Sequence, residues 1–232
     1  MIVKTRSGKL FWICHPPKTA GGFLKHILCE AAAQKEIIIY PYSNLSFRGL
    51  REVLKPGGGQ FYHCHYNELA RLVSRKSIEN AGVIITKRDP VERFISLYNW
   101  LKFGGEKSTI PSNTGWRSRR WANSHFTGHA TSKIRDVSLN QLLAQPTKYL
   151  DKYEASCQID FLTGCEGDVI EVRQERLNDD LVKTCAALEI NKPRDLIYKV
   201  HGSVKKEVAL SKQQVRAVKD LYNRDYQGEF YE

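Results

Sequence analysis

The sequence predicts an α/β domain built on a central, mainly parallel sheet flanked by helices. Three observations carry this expectation. Short apolar runs recur along the chain, separated by segments with helical periodicity. Two of the runs end in strand-to-helix junctions, His15-Pro16-Pro17 and Arg88-Asp89-Pro90, with the turn chemistry such junctions need. The chain has 232 residues, 41% hydrophobic and 26% charged, which suits one domain of ordinary size with a core to bury. Residues 1–232 are therefore expected to form a single domain, with a long irregular basic segment at about 104–136.

Taken in order, Leu10 to Cys14 is a short apolar strand, and the two prolines after His15 forbid further ladder pairing. Past Gly21-Gly22, Phe23 to Ala33 places Phe23, Ile27 and Leu28 on one helical side. Glu36 to Tyr40 is expected as a second strand. Ser46 can cap a helix running to Leu54, which Pro56-Gly57-Gly58-Gly59 breaks. Gln60 to Cys64 is expected as a third strand, followed by a helix from Asn67 to about Ser74. Gly82 to Lys87 is the clearest buried strand. Asp89 then caps a helix with Pro90 at its first position and Phe94, Leu97, Tyr98 and Leu101 along it. From Gly104 to Asp136 periodicity disappears; unstructured stretches of that length tend to be lids or disordered. Helices resume at Ser138 to Gln145, Asp180 to Leu188 and Ser211 to Asp225, and no internal repeat is evident.

Composition narrows the partners. No apolar run approaches the roughly 20 residues a membrane helix needs, and Phe11 to Cys14 is too brief for a signal peptide. No membrane association and a cytoplasmic setting are expected. Lys and Arg total 36 against 25 Asp and Glu, a formal net charge of +11, with a pI near 9.4 and a mean hydropathy of -0.45. That excess favours anionic partners without choosing among nucleic acid, phosphorylated cofactors and acidic glycans. Much of it falls between Leu101 and Arg135, where Lys102, Lys107, Arg117, Arg119, Arg120, Lys133 and Arg135 face only Glu106. The six cysteines form no Cys-x-x-Cys pair, so no zinc or thioredoxin-type site is expected. Cys14 and Cys64 suit buried small hydrophobes. Cys157 and Cys165 can close a loop in an oxidising compartment and stay thiols otherwise.

Two junctions look built for anions. His15-Pro16-Pro17-Lys18-Thr19-Ala20-Gly21-Gly22 links a strand to a helix start, where small residues let backbone N–H groups approach a phosphate. Lys18 adds a mobile charge and Thr19 a hydroxyl. It is not a Walker A loop, because the lysine precedes the glycines. At the second junction Arg88 ends the buried strand and Ser96 lies about two turns along the helix, a guanidinium and a hydroxyl for one anion. The plainer alternative pairs Arg88 and Arg93 with Asp89 and Glu92 as surface salt bridges.

Together the His-x-Pro-Lys-Thr-Ala-Gly loop and the Arg-Asp-Pro-x-x-Arg-Phe-x-Ser-x-Tyr segment resemble carbohydrate sulfotransferases that use 3′-phosphoadenosine 5′-phosphosulfate (PAPS), of the heparan and uronyl 2-O-sulfotransferase type. The resemblance implies a P-loop-like sulfotransferase fold, PAPS as donor, 3′-phosphoadenosine 5′-phosphate (PAP) as product, and no metal. It assigns the 5′-phosphosulfate to Lys18, Thr19, Ala20, Gly21, Gly22 and Phe23, and the 3′-phosphate to Arg88 and Ser96. Softer likenesses are Gln158 to Gly164, Glu171 to Leu181, and the Gly202 to Lys206 segment, whose Ser203 and Lys205 would close over the donor. The chain departs from the family where Gly22-Phe23 replaces a Thr-Ser pair.

Phe61-Tyr62-His63-Cys64-His65 would put both histidines on one face of the third strand. A metal site needs more ligands than this pair supplies; a packed or solvated pair is the bland alternative. The resemblance implies a catalytic histidine in this His-x-His, with His65 as the base and His63 as its supporter or a substrate contact. An imidazole ordinarily titrates at about 6.5, which suits proton removal from a hydroxyl at neutral pH, and Lys18 would stabilise the leaving phosphate. Trp116 with Arg117, Arg119 and Arg120 can stack on and grip an acidic saccharide acceptor. Two rival readings remain at this stage. One is a P-loop-like nucleotide kinase; the other is a non-catalytic polyanion or nucleic-acid binder, although nucleic acid is the less expected partner.

Overall fold

The structure is a computed structural model, described here for residues 1–40, 63–73, 78–103, 134–191, 208–227 and 230–231. It is a mixed α/β chain with a five-stranded sheet flanked by helices. The chain divides into two compact units, Met1–Lys87 with Gln158–Leu196, and Arg88–Cys157 with Ile197–Glu232.

The first unit holds the sheet. Its strands are β1 (Ile2–Lys4), β2 (Leu10–Cys14), β3 (Ile38–Tyr40), β4 (Gly82–Lys87) and β5 (Val169–Arg173), in the order β3-β1-β2-β4-β5. β2 with β4 and β4 with β5 are parallel, whereas β1 is antiparallel to both β2 and β3. Four strands thus share a direction and β1 opposes them, so the sheet is mixed where a mainly parallel one was expected. β1 adds the difference: it is three residues long in a basic stretch, too short to show a period. Continuous burial explains the two central strands. Phe11 to Cys14 and Val83 to Ile85 are buried, and each fully buried Val or Ile contributes about 1.5–3 kcal/mol. Helix α1 (Gly21–Ala33) follows β2 and buries Phe23, Leu24, Ile27, Leu28 and Ala31, the one-sided spacing of an amphipathic helix. Helix α2 (Tyr66–Val73) precedes β4.

The third strand expected at Gln60 to Cys64 is not present at its described end. His63 lies in a 3-10 turn, Cys64 and His65 are irregular, and α2 begins at Tyr66. Helix capping prevails over strand alternation here: the Glu68 carboxylate accepts from the His65 N–H at 3.0 Å, the return half of a capping box. The expected helix at 46–54 lies outside the described residues.

In the second unit, Asp89 caps helix α3 (Pro90–Phe103) as anticipated, its Oδ1 accepting from Glu92 N–H at 2.9 Å. Helices α4 (Leu139–Ala144), α5 (Pro146–Tyr149) and α6 (Lys152–Ala155) follow. Ser138 and Asp151 each form a complete capping box. In the first unit, α7 (Leu177–Ala187) comes after β5; in the second, Ser211 caps α8 (Lys212–Leu221). Arg93 anchors the second unit. Fully buried, it donates to the carbonyls of Ser156 at 2.9 Å and Tyr153 at 3.2 Å, with its guanidinium 4.8 Å from the Tyr222 ring. All six cysteines are thiols outside any disulfide, Cys157 and Cys165 included. Among the described residues no helix is long and apolar enough to cross a membrane.

Candidate functional site

The order of the strands fixes where a ligand would sit in the first unit. From β2 the chain passes through α1 to β3 on one side, while β4 and β5 lie on the other. The carboxyl ends of β2 and β4 therefore flank a topological switch point, the crevice in which open α/β sheets bind ligands. The turn from β2 to α1, residues 15–20, stands at that point.

Its conformation is unusual. Lys18 and Ala20 both adopt left-handed backbone angles, φ 67° and 66°, whereas Thr19 between them does not. Left-handed non-glycine residues cost about 1–3 kcal/mol each and persist only where their surroundings enforce them. Thr19 supplies the enforcement. Fully buried, its hydroxyl donates to the Pro16 carbonyl at 2.7 Å and accepts from Thr86 of β4, also at 2.7 Å. At Ala20 the left-handed backbone passes directly into the right-handed helix at Gly21, a change of hand of the kind that turns neighbouring N–H groups toward one side in anion nests. Beyond it Gly21 and Gly22 open a 13-residue helix whose first N–H groups have no acceptor within the helix.

These contacts refine the roles expected of the loop. The Thr19 hydroxyl faces inward and is committed to the protein, so it is not a donor to an anion. Phe23 is a buried core residue, and its N–H already donates to the Ala20 carbonyl at 2.9 Å. Gly21 is required by its neighbour: a Cβ there would overlap the His15 ring.

His63 is brought to this loop. Its Nδ1 lies 2.6 Å from the His15 carbonyl oxygen, and the two imidazoles are 4.7 Å apart between centroids. Burial, followed by the nearby His63 and Lys25, holds His15 well below the usual histidine range, so it is neutral at pH 7. His65 has a different setting. It caps α2, and its ring meets Phe161 edge-on at 4.4 Å. Phe161 belongs to the 3-10 turn Ile159–Leu162, and just beyond that turn Gly164, with a φ of 84°, lies so close to Asn67 of α2 that a side chain has no room. The Gln158 to Gly164 stretch thus buttresses His65.

Arg88 and Ser96 belong to the second unit. Arg88 pairs with Glu92 at 3.3 Å, one turn along α3, and Ser96 is 8% exposed. The alternative pairing holds for Arg88 but not for Arg93, which is buried on backbone carbonyls. Ser203, Lys205, Trp116, Arg117, Arg119 and Arg120 lie outside the described residues. Among the described residues no group of three His, Cys, Asp or Glu side chains is arranged to hold a metal ion. A separate depression of about 360 Å³ follows β5 and α7, lined by Glu171, Arg173, Arg176 and Lys183 among others, away from the β2–α1 turn.

No protein-family model, curated protein or solved structure matches this chain.

Sequence reasoning missed His15 as a participant. Its only local signal is the Pro-Pro that follows, which restricts the backbone before it to extended conformations.

Proposed function

We propose that the chain is a PAPS-dependent sulfotransferase that moves the sulfuryl group to a hydroxyl of an acidic saccharide. A P-loop-like fold and a cytoplasmic setting belong to the same proposal. The observation that carries it is the β2–α1 turn: two left-handed residues around a pinned threonine, at a switch point, opening onto a helix N-terminus. Such a turn fits a phosphate or phosphosulfate group, with Lys18 and the N–H groups of Ala20, Gly21 and Gly22 as its donors. By resemblance, Arg88 and Ser96 would take the 3′-phosphate, and the basic cluster Trp116, Arg117, Arg119 and Arg120 the acceptor.

The chemistry asks little else of the protein. The acceptor oxygen forms a bond to sulfur as the bond between sulfur and the bridging phosphate oxygen breaks. The hydroxyl proton passes to an imidazole of the His63–His65 pair, and PAP leaves with the electron pair on its phosphate oxygen. General-base help is worth about 10²–10⁴-fold. Fixed positive charge at the leaving oxygen supplies much of the remainder, as in phosphoryl transfer.

Calorimetry with PAP, ATP and a mixed-sequence oligonucleotide tests the reading. Tight PAP binding with weak ATP binding supports it, and transfer of labelled sulfate from PAPS across an acceptor panel then names the acceptor. Tight ATP binding instead favours a kinase, and salt-sensitive oligonucleotide binding without PAP binding favours a polyanion binder.

A further inference from the structure

The contact between His63 and His15 contains more than proximity. A backbone carbonyl can only accept, so the His63 nitrogen 2.6 Å from the His15 oxygen must carry the hydrogen. In the neutral ring the lone pair then resides on Nε2. The carbonyl is itself held in place. His15 precedes Pro16, which confines its backbone to the extended region, and the Pro16 carbonyl is tied to Thr19 inside the turn. On its other side the His15 ring packs onto Gly21, the first residue of α1, and against the His63 ring. The His15 ring is a wedge between the opening of the anion turn and His63. Neutral in this setting, the His15 ring brings no positive charge up against His63.

We propose that His15 is a positioning residue: its carbonyl holds His63 in the Nδ1–H tautomer, making Nε2 of His63, rather than His65, the atom that takes the acceptor proton. This rests on the sulfotransferase reading. When Nε2 takes the proton, the ring becomes an imidazolium whose Nδ1–H still donates to the His15 carbonyl. That hydrogen bond becomes charge-assisted and roughly twice as strong, a gain realised only as the proton moves. His65 meanwhile keeps its place as the cap of α2 against Phe161.

The tautomer is measurable without turnover. Long-range ¹H–¹⁵N correlation spectra of histidine-labelled protein, assigned with His63→Gln, should show His63 protonated at Nδ1 and bare at Nε2 near neutral pH. Kinetics then test the role. His63→Ala should lower kcat by about 10²-fold or more, and His65→Ala by less, with PAP affinity retained in both. His15→Ala removes the wedge and should lower kcat at least tenfold, with a smaller change in donor KM. His15→Phe keeps a ring of similar shape and the carbonyl, and should restore both the His63 tautomer and most of kcat. A His63 ring protonated at Nε2, or His65→Ala proving the more damaging of the two variants, overturns the assignment while PAP binding stands. Failure of PAP to bind overturns the transfer reading and, with it, any role for His63 as base.

Discussion

Replacing Glu171 with Gln and Lys87 with Met, one at a time, should destabilise the first unit by unequal amounts, although both changes break the same ion pair. Lys87 Nζ lies 2.8 Å from Glu171 Oε1; the Lys87 side chain is 0% exposed and that of Glu171 33%. In the parallel register Glu171 stands opposite Ile85, so the pair is a diagonal cross-strand contact between β4 and β5. Glu171→Gln takes the carboxylate charge away from a buried ammonium that cannot rehydrate. Breaking a buried pair in that direction costs about 3 kcal/mol, the low end of the usual range. Lys87→Met leaves a carboxylate that water reaches and that Arg173 still faces at 3.4 Å, and it removes the desolvated ammonium altogether. Its loss should be about 1 kcal/mol, the scale of one hydrogen bond. For a chain of this size the two values correspond to Tm decreases of about 6–12 °C and about 2–4 °C. Thermal and urea unfolding, with amide exchange at Val172 as a local readout, measures the difference. Equal losses, or a larger loss for Lys87→Met, would refute the claim that the buried partner sets the asymmetry.

Gly21→Ala should leave the protein folded but reduce PAP affinity at least tenfold in calorimetry, because the new methyl displaces the His15 ring and with it the turn. In the second unit, Tyr222→Phe loses the hydrogen bond from its hydroxyl to the Glu154 carbonyl at 2.9 Å and should cost about 1 kcal/mol in urea unfolding. Arg93→Lys should cost more, since an ammonium cannot reproduce a planar fork that reaches several carbonyls at once. Burial lowers Lys25 of α1 from the usual 10.5 to about 8. Between those pH values the folded state binds fewer protons than the unfolded one, so stability should rise with pH across that window. Lys25→Met should flatten that rise in pH-dependent unfolding.

Much of the fold was legible wherever local chemistry was consistent. Leu10 to Cys14 and Gly82 to Lys87 emerge at their expected bounds, because each is a continuous apolar run closed by a proline-containing turn. The helix starts at Asp89, Ser138 and Ser211 follow from side chains able to bond the first free N–H groups. Where two local signals competed, the pattern misled. Alternation at Phe61 to His65 suggested a strand, yet a glutamate three residues past His65 signals a helix cap, and the cap prevails. β5 is short and broken by Glu171 and Arg173 between and after its apolar Val169, Ile170 and Val172, and it was visible only through the family likeness. At the candidate site the β2–α1 turn was legible as a composition of small residues with one lysine. Its left-handed angles and the inward hydroxyl of Thr19 were not, because Thr86 is distant in sequence. The meeting of His15 with His63 is likewise a product of tertiary packing.

Neither unit is a contiguous piece of polypeptide, and this bears on how the chain comes to fold. β4 and β5 are neighbours in the sheet, but the whole of 88–157 is translated between them. Until β5 emerges from the ribosome, the outer side of Val83-Ile84-Ile85-Thr86 is an unfilled β edge of the kind that recruits other chains. Lys87, at the end of that strand, puts a charge next to the sticky run, the placement that gatekeeper residues take. The arrival of Glu171 converts the same charge into part of the finished sheet.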